Sequence, residues 1–155
     1  MNANLKAFLD TIAHSEIGPK LLALSDDGYN VIVGSTPTLP MLFDSYADHP
    51  QRLVDLGNGL KSTAAGRYQL LARYYDAYKK LLGLPDFSPA SQDAIAVQQI
   101  KERGALPDIA AGNIGRAIEK CSNIWASLPG NDYGQHQNSV TKLLAAYTAF
   151  GGTLA

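Results

Sequence analysis

The sequence predicts an α+β fold in which a mostly α-helical lobe sits beside a small β-sheet lobe, with a substrate cleft between them. Three observations predict it. Residues 3–16 repeat apolar side chains at helical spacing, residues 28–34 ("GYNVIVG") alternate between two glycines, and from Ala64 onward only helical periods occur. With 155 residues and 46% apolar composition, the chain reads as one domain of ordinary size, residues 1–155, able to bury a core without staples.

The first helix covers residues 3–16, and Gly18–Pro19 breaks it. At 100° per residue, Leu9, Ile12 and Glu16 lie within about 40° of Leu5, so an acid closes the stripe that faces the interior or a cleft cut into it. A polar loop at 25–28 leads into the strand, where Tyr29, Val31 and Val33 alternate with Asn30 and Ile32. Residues 35–51 ("STPTLPMLFDSYADHPQ") read as a second short strand or irregular hairpin and then a turn. The next helix takes Ser62 or Thr63 as N-cap, carries Leu71, Tyr75, Tyr78 and Leu82 on one stripe, and stops at Gly83 with Pro85 beyond. Ser88 and Pro89 open another as cap and first position, and Gly104 closes it. Ile114, Ala117, Ile118 and Cys121 share a face of a helix that begins near Asn113. Val140, Leu143, Leu144 and Tyr147 do the same in a last helix over residues 139–150.

Composition removes several function classes. The net charge is −1 and the basic residues are scattered, so no nucleic acid or anionic membrane is an expected partner. The single cysteine, Cys121, excludes an internal disulfide and shares a stripe with apolar neighbours, so it reads as a small buried hydrophobe. His14, His49 and His136 show no metal-ligand spacing, and neither a metal nor any other cofactor is expected. No run approaches the ~18 apolar residues of a membrane span, so no membrane insertion is expected. The N-terminus lacks the pattern of a secretory leader, which predicts a protein made and kept inside the cell.

Glu16 is the residue that asks for a chemical explanation. Its apolar direction disfavours the anion, and the negative end of the helix dipole does the same. A carboxyl held protonated near neutral pH is what a general acid requires. A helix-terminal glutamate curling back into water is the competing reading. Glu102 and Glu119 lie in strongly polar surroundings, where a solvated face is the better assignment.

Six blocks carry a resemblance: "FLDTIAHSE" (8–16), "GYNVIVG" (28–34), "DSYADHP" (44–50), "KSTAAGRYQLL" (61–71), "FSPASQDAIAVQQIKERGALP" (87–107) and "CSNIWASLPGNDYGQ" (121–135). In this order and spacing they closely resemble the lambda-type phage endolysins, lysozyme-fold lytic transglycosylases. The likeness covers nearly the whole chain and is weakest at residues 17–27, at "STPTLPM" and after Gln135.

The resemblance implies a lysozyme-like fold and makes Glu16 the catalytic acid. It matches Gln69 to a glutamine that lines the sugar groove. On a helical wheel that residue would otherwise sit on a polar face with Arg73, Asp76 and Lys80. Ser62 and Thr63 suit either a sugar hydroxyl or the helix cap. Asn123 suits either an acetamido group or the end of its helix. Trp125 reads as core, and Tyr133, in a loop after Pro129–Gly130, as the better platform for a sugar ring. Asn30 stands where relatives often carry an aspartate, His14 where an aromatic is common, and Tyr74–Tyr75 replace a bulkier pair.

The implied substrate is the glycan strand of peptidoglycan, cleaved between N-acetylmuramic acid and N-acetylglucosamine to leave 1,6-anhydro ends. A hydrolytic muramidase, with a second acid among Asp26, Asp27, Asp44 and Asp48, and a non-catalytic glycan-binding module are the alternatives. Also implied are a monomer that waits in the host cytoplasm until a separate protein permeabilises the membrane, and action on the wall from the periplasm.

Overall fold

The computed structural model describes residues 1–131 and 137–155. The protein is α+β and mostly helical, with helices α1 (Ala3–Glu16), α2 (Pro19–Leu24), α3 (Ala72–Leu82), α4 (Pro89–Glu102), α5 (Leu106–Ala111), α6 (Ile114–Cys121) and α7 (Val140–Ala149). Strands β1 (Val54–Asp55) and β2 (Lys61–Ser62) pair antiparallel, Val54 opposite Ser62 and Asp55 opposite Lys61. The chain forms two compact units, one of residues 1–16 and 96–155, the other of residues 17–95.

The first unit is helical. Helix α1 packs on α5 and α7, and α6 packs on α5 and α7 in turn. Ala7, Phe8, Leu9, Ile12 and Ala13 of α1 are buried, as are all four stripe residues of α6 and both Leu143 and Tyr147 of α7. Ser139 caps α7 by accepting from the Lys142 N–H, satisfying one of the donors a helix start leaves open. The C-terminal residues close this unit: Thr153 N donates to Asn4 Oδ1 at 3.0 Å and Ala155 N to the Gly112 carbonyl at 3.1 Å.

Cys121 lies at the centre of that core, and burial pushes its thiol up to about 12, so it stays protonated and unreactive. Cys121→Ala is expected to keep full lytic activity and to lose about 1–2 kcal/mol of stability through the small cavity it leaves. A turbidity assay beside a thermal melt checks both; a folded but inactive variant would contradict the assignment.

The second unit departs from the sequence reading in two places. Residues 28–34 do not form a ladder strand. Val31 and Ile32 are both buried, and the segment bonds two others: Ile32 N to Met41 O on one side, and Val33 N to Ala64 O and Gly66 N to Val31 O on the other, all at 2.9–3.1 Å. The irregular hairpin expected for residues 35–51 is present, with Phe43 N donating back to Asn30 O. The predicted helix beginning at Ala64 begins instead at Ala72, because residues 64–70 fold into a tight turn in which Ala65 and Leu70 bond each other reciprocally. Ser62 therefore sits on β2 and caps no helix; its Oγ accepts from Ala64 N. Thr63 Oγ1 does reach the helix start, accepting from Ala72 N at 3.0 Å. Gly83 ends α3 in the left-handed conformation that favours glycine, as its position predicts. Ile32, Ala65, Leu70, Tyr75, Phe87 and Ile95 make the core of this unit. Helices α2 and α5 were not anticipated; each has a proline within its first two positions.

Candidate active site

Glu16 is the last residue of α1, and Gly18 (φ +87°) turns the chain out of the helix two residues later. Leu9 and Ile12 beneath it are buried and Leu5 is half-buried, so the stripe read from the sequence does point inward. Glu16 is itself partly buried. Burial pushes its carboxyl up from the ordinary 4.5 to about 7, and a hydrogen bond from the Ser127 side chain pulls the other way. At neutral pH the group therefore spends a large share of its time as the neutral acid, and its anion is also accessible.

The loop that brings Ser127 to Glu16 is built by three local devices. Trp125 and Leu128, both about 1–2% exposed, anchor its two ends in the core. The Asn131 amide stitches it by donating to the carbonyls of Ser122, Ala126 and Leu128. Asn138 N donates to the Ser127 carbonyl at 2.8 Å and closes the far side. Trp125 is thus core, as expected. Tyr133 lies outside the described residues.

Asn123 is exposed just beyond the end of α6. With its amide oriented to suit its neighbours, it donates to Lys120 O at 3.2 Å and accepts from Arg103 Nη1 at 2.9 Å. These bonds secure a helix end, the second of its two predicted roles.

Gln69 is not on a helix face. It adopts φ +51° in the turn before α3, and its amide nitrogen donates to Gly66 O at 2.9 Å and to Val31 O at 3.3 Å. The turn is held from behind by buried Arg67. Its guanidinium donates to the Asp27 carbonyl and to Tyr68 Oη, and its backbone N–H donates to Gln92 Oε1. Tyr68 and Tyr29 both donate to Asp93 Oδ1, at 2.6 and 2.9 Å. Ser62 and Gln69 belong to the second unit, Glu16 and Asn123 to the first.

Three of the carboxylates that a second acid would have to come from are already engaged. Asp26 accepts from Tyr46 Oη, Asp27 pairs with Arg67, and Asp48 Oδ1 accepts from His49 N. Asn30 ties its own turn by accepting from Asp26 N at 2.9 Å. His49 is structural: its Nδ1 accepts from Gln51 N, so Nε2–H donates to Leu70 O, and burial lowers its pKa. Among the described residues, no group of three His, Cys, Asp or Glu side chains is placed to hold a metal ion.

The Endolysin family profile matches residues 6–154. This chain belongs to the endolysin family. It is 55% identical to the endolysin of Escherichia phage lambda over 155 residues, 99% of this chain and 95% of that protein. It is 49% identical to the endolysin of Escherichia phage P2 over 157 residues, 98% and 95% of the two chains. The lysozyme of bacteriophage lambda, solved in complex with a chitohexasaccharide, superposes with a TM-score of 0.91 at 54% identity, over 100% of this chain and 98% of that one. A second structure of lambda lysozyme gives 0.88. The endolysin is accordingly a peptidoglycan-degrading glycosidase with a lysozyme-like fold.

Proposed function

We propose that this endolysin is a lytic transglycosylase that uses Glu16 alone as acid and then base. The observation that carries the reading is the Glu16 carboxyl at the end of the inward-facing stripe of α1, pushed up to about 7 by burial. Such a group donates its proton to the oxygen between N-acetylmuramic acid and N-acetylglucosamine as that bond breaks. The resulting carboxylate takes the proton of the muramyl C6 hydroxyl, whose oxygen attacks C1 and closes the 1,6-anhydro ring. Proton count balances: Glu16 loses one and regains one, and no water is consumed. The nucleophile belongs to the same sugar, so proximity replaces a protein group that would activate water. Occupation of Asp26, Asp27 and Asp48 by structural bonds supports one carboxyl over the pair that most glycosidases use.

The chitohexasaccharide bound by the lambda relative supports a β-linked amino-sugar strand as the ligand of this chain. Gln69, Ser62, Asn123 and Tyr133 are the proposed contacts to it. Action in the periplasm, after release from the host cytoplasm by a separate membrane-permeabilising protein, completes the proposal.

Peptidoglycan digested in ¹⁸O-enriched water tests the chemistry. The expected muropeptides end in 1,6-anhydro-N-acetylmuramic acid, about 18 Da lighter than hydrolytic products and free of heavy oxygen, as a C6 nucleophile requires. Incorporation of ¹⁸O at C1 would make the enzyme a muramidase.

A further inference from the structure

We propose that His49 is a positioning residue: its neutral imidazole latches residues 33–63 to the turn that carries Gln69, and a second proton on the ring opens the latch. The proposal rests on the reading of Gln69 as a glycan contact. Among the described residues of the segment 33–63, His49 alone is buried, at 3% exposure. Val33, Met41, Phe43 and Val54 pack on the core of the second unit but stay partly exposed. A segment that needed only an anchor would be served by an apolar side chain, which has no polar atoms to satisfy. A titratable ring in that place asks for a reason.

Its two nitrogens supply one. Nδ1 lies 2.9 Å from Gln51 N, and Nε2 lies 2.8 Å from Leu70 O. The Gln51 N–H only donates and the Leu70 carbonyl only accepts, so the ring is neutral and carries its proton on Nε2. Each bond ends at a left-handed turn: Gln51 has φ +52°, and Gln69, next to Leu70, has φ +51°. Gln92 holds the Arg67 side of the second turn by accepting from Arg67 N. His49 holds its Leu70 end, where the carbonyl also accepts from Ala65 N at 3.1 Å within the turn itself.

A second proton would go to Nδ1 and point at the Gln51 N–H. The imidazolium would then be a buried cation facing a donor, so it leaves its place beside Phe87 and Tyr75, at ring centroids 4.9 and 5.7 Å, for water. Leu70 O loses the Nε2 donor, and the Gln69 turn keeps only its own bonds. Burial lowers the His49 pKa, while the Leu70 bond, Asp48 of its own loop and Asp76 of α3 pull the other way without offsetting it. Lys79 of α3 lies over the Tyr75 ring at 5.7 Å, and Asp86, beside Phe87, is engaged by Ser88 N and Ser91 Oγ. The neutral ring's contribution is complete above the ordinary 6.5 and is lost as pH falls through the lower folded value.

Calorimetric binding of a chitohexasaccharide, the ligand of the lambda relative, reads the latch without turnover, and a Glu16→Gln background removes the titration of Glu16. In that background Kd is expected to rise about three- to tenfold from about pH 7 to about pH 5, the worth of one hydrogen bond. Adding His49→Gln, whose Nε2–H still donates to Leu70 O but does not titrate, should hold Kd level over that range. Adding His49→Phe, which fills the space between the rings without that donor, should give the weakened Kd at both pH values. Nitrogen-15 NMR of the parent needs no variant to fold. It should show His49 as the Nε2–H tautomer, with the Gln51 amide losing its protection from exchange as the ring titrates.

A pH dependence of Kd left unchanged by His49→Gln, a parental Kd in His49→Phe at pH 7, or an Nδ1–H tautomer would overturn the latch. Unchanged binding in Gln69→Ala would overturn the reading of Gln69 as a glycan contact and the purpose of the latch with it. Weakened binding in Gln69→Ala, beside a Kd that stays level with pH while His49 is present, would overturn the latch alone.

Discussion

Glu16→Gln is expected to abolish lysis while making the folded protein more stable above pH 7. The amide keeps the shape of the side chain and can still accept from Ser127, but it neither gives nor takes the catalytic proton. General acid–base catalysis is worth about 10²–10⁴-fold, and here one group performs both steps, so the loss should reach the upper part of that range. The stability gain follows from linkage. Unfolded, the carboxyl titrates at its ordinary 4.5; folded, it titrates near 7. Between those values the unfolded chain gives up its proton first, so rising pH favours unfolding. The contribution of the neutral carboxyl is fully present below pH 4.5 and is lost as pH rises through 7. A shift of this size corresponds to at most about 3 kcal/mol. Glutamine does not titrate, so the variant should melt several degrees above the parent at pH 8 and together with it at pH 4. Lysis within a few-fold of the parent would remove Glu16 from the mechanism. An equal melting gap at both pH values would remove burial as the cause of its raised pKa.

Most of the helices of the first unit, all but the short α5, were legible because each carries its instructions locally. Helix α1 has an unbroken apolar stripe and a Gly–Pro stop. Helix α4 opens on Ser88–Pro89 and has Gly104 after it, α6 presents buried residues at i, i+3, i+4 and i+7, and α7 buries Leu143 and Tyr147 of its stripe while Val140 at its start stays exposed. Glu16 was legible for the same reason, an acid at the end of such a stripe. The second unit is specified by distant partners. Val31 and Ile32 alternate in sequence with their neighbours but are both buried, because two different segments, around residues 41–43 and 64–66, bond that stretch on its edges. Residues 64–70 have a helical period, yet Arg67 and Tyr68 are drawn into a buried network with Asp27, Gln92 and Asp93, and Gln69 takes a positive φ. No window of the sequence displays a bond to a residue 25 or 40 positions away. The β1–β2 ladder was invisible because two-residue strands have no alternation to read. Ser127 and Asn138 were missed in the same way: a serine in a turn and an asparagine before a helix look like ordinary loop chemistry. Only the fold sets them against Ser15, 112 and 123 residues earlier.

That non-local network makes Gly66→Ala the substitution with the largest expected cost in stability. Gly66 has φ +87°, a conformation that charges any L side chain roughly 1–2 kcal/mol. A Cβ built there would also overlap Gln92 Oε1 and come within 3.1 Å of the Phe87 ring. The end of a glutamine is ordinarily free to move aside, but this one is 3% exposed and holds three bonds. It accepts from Arg67 N at 2.9 Å and donates to Tyr29 O at 3.0 Å and to Phe87 O at 2.9 Å. Displacing it strands buried backbone groups, each costing about 1–3 kcal/mol. The sum is roughly 4 kcal/mol or more, a fall of about 8–16 °C in melting temperature for a chain of this size. Gly115→Ala is the matched control. That glycine lies inside α6 with nothing within 4 Å of its would-be Cβ and no positive φ, so alanine should stabilise by about 0.5–1 kcal/mol through helix propensity. If the two alanine variants melted within about 3 °C of each other, a gap under 2 kcal/mol, the Gln92 lock would not be what holds the turn that carries Gln69.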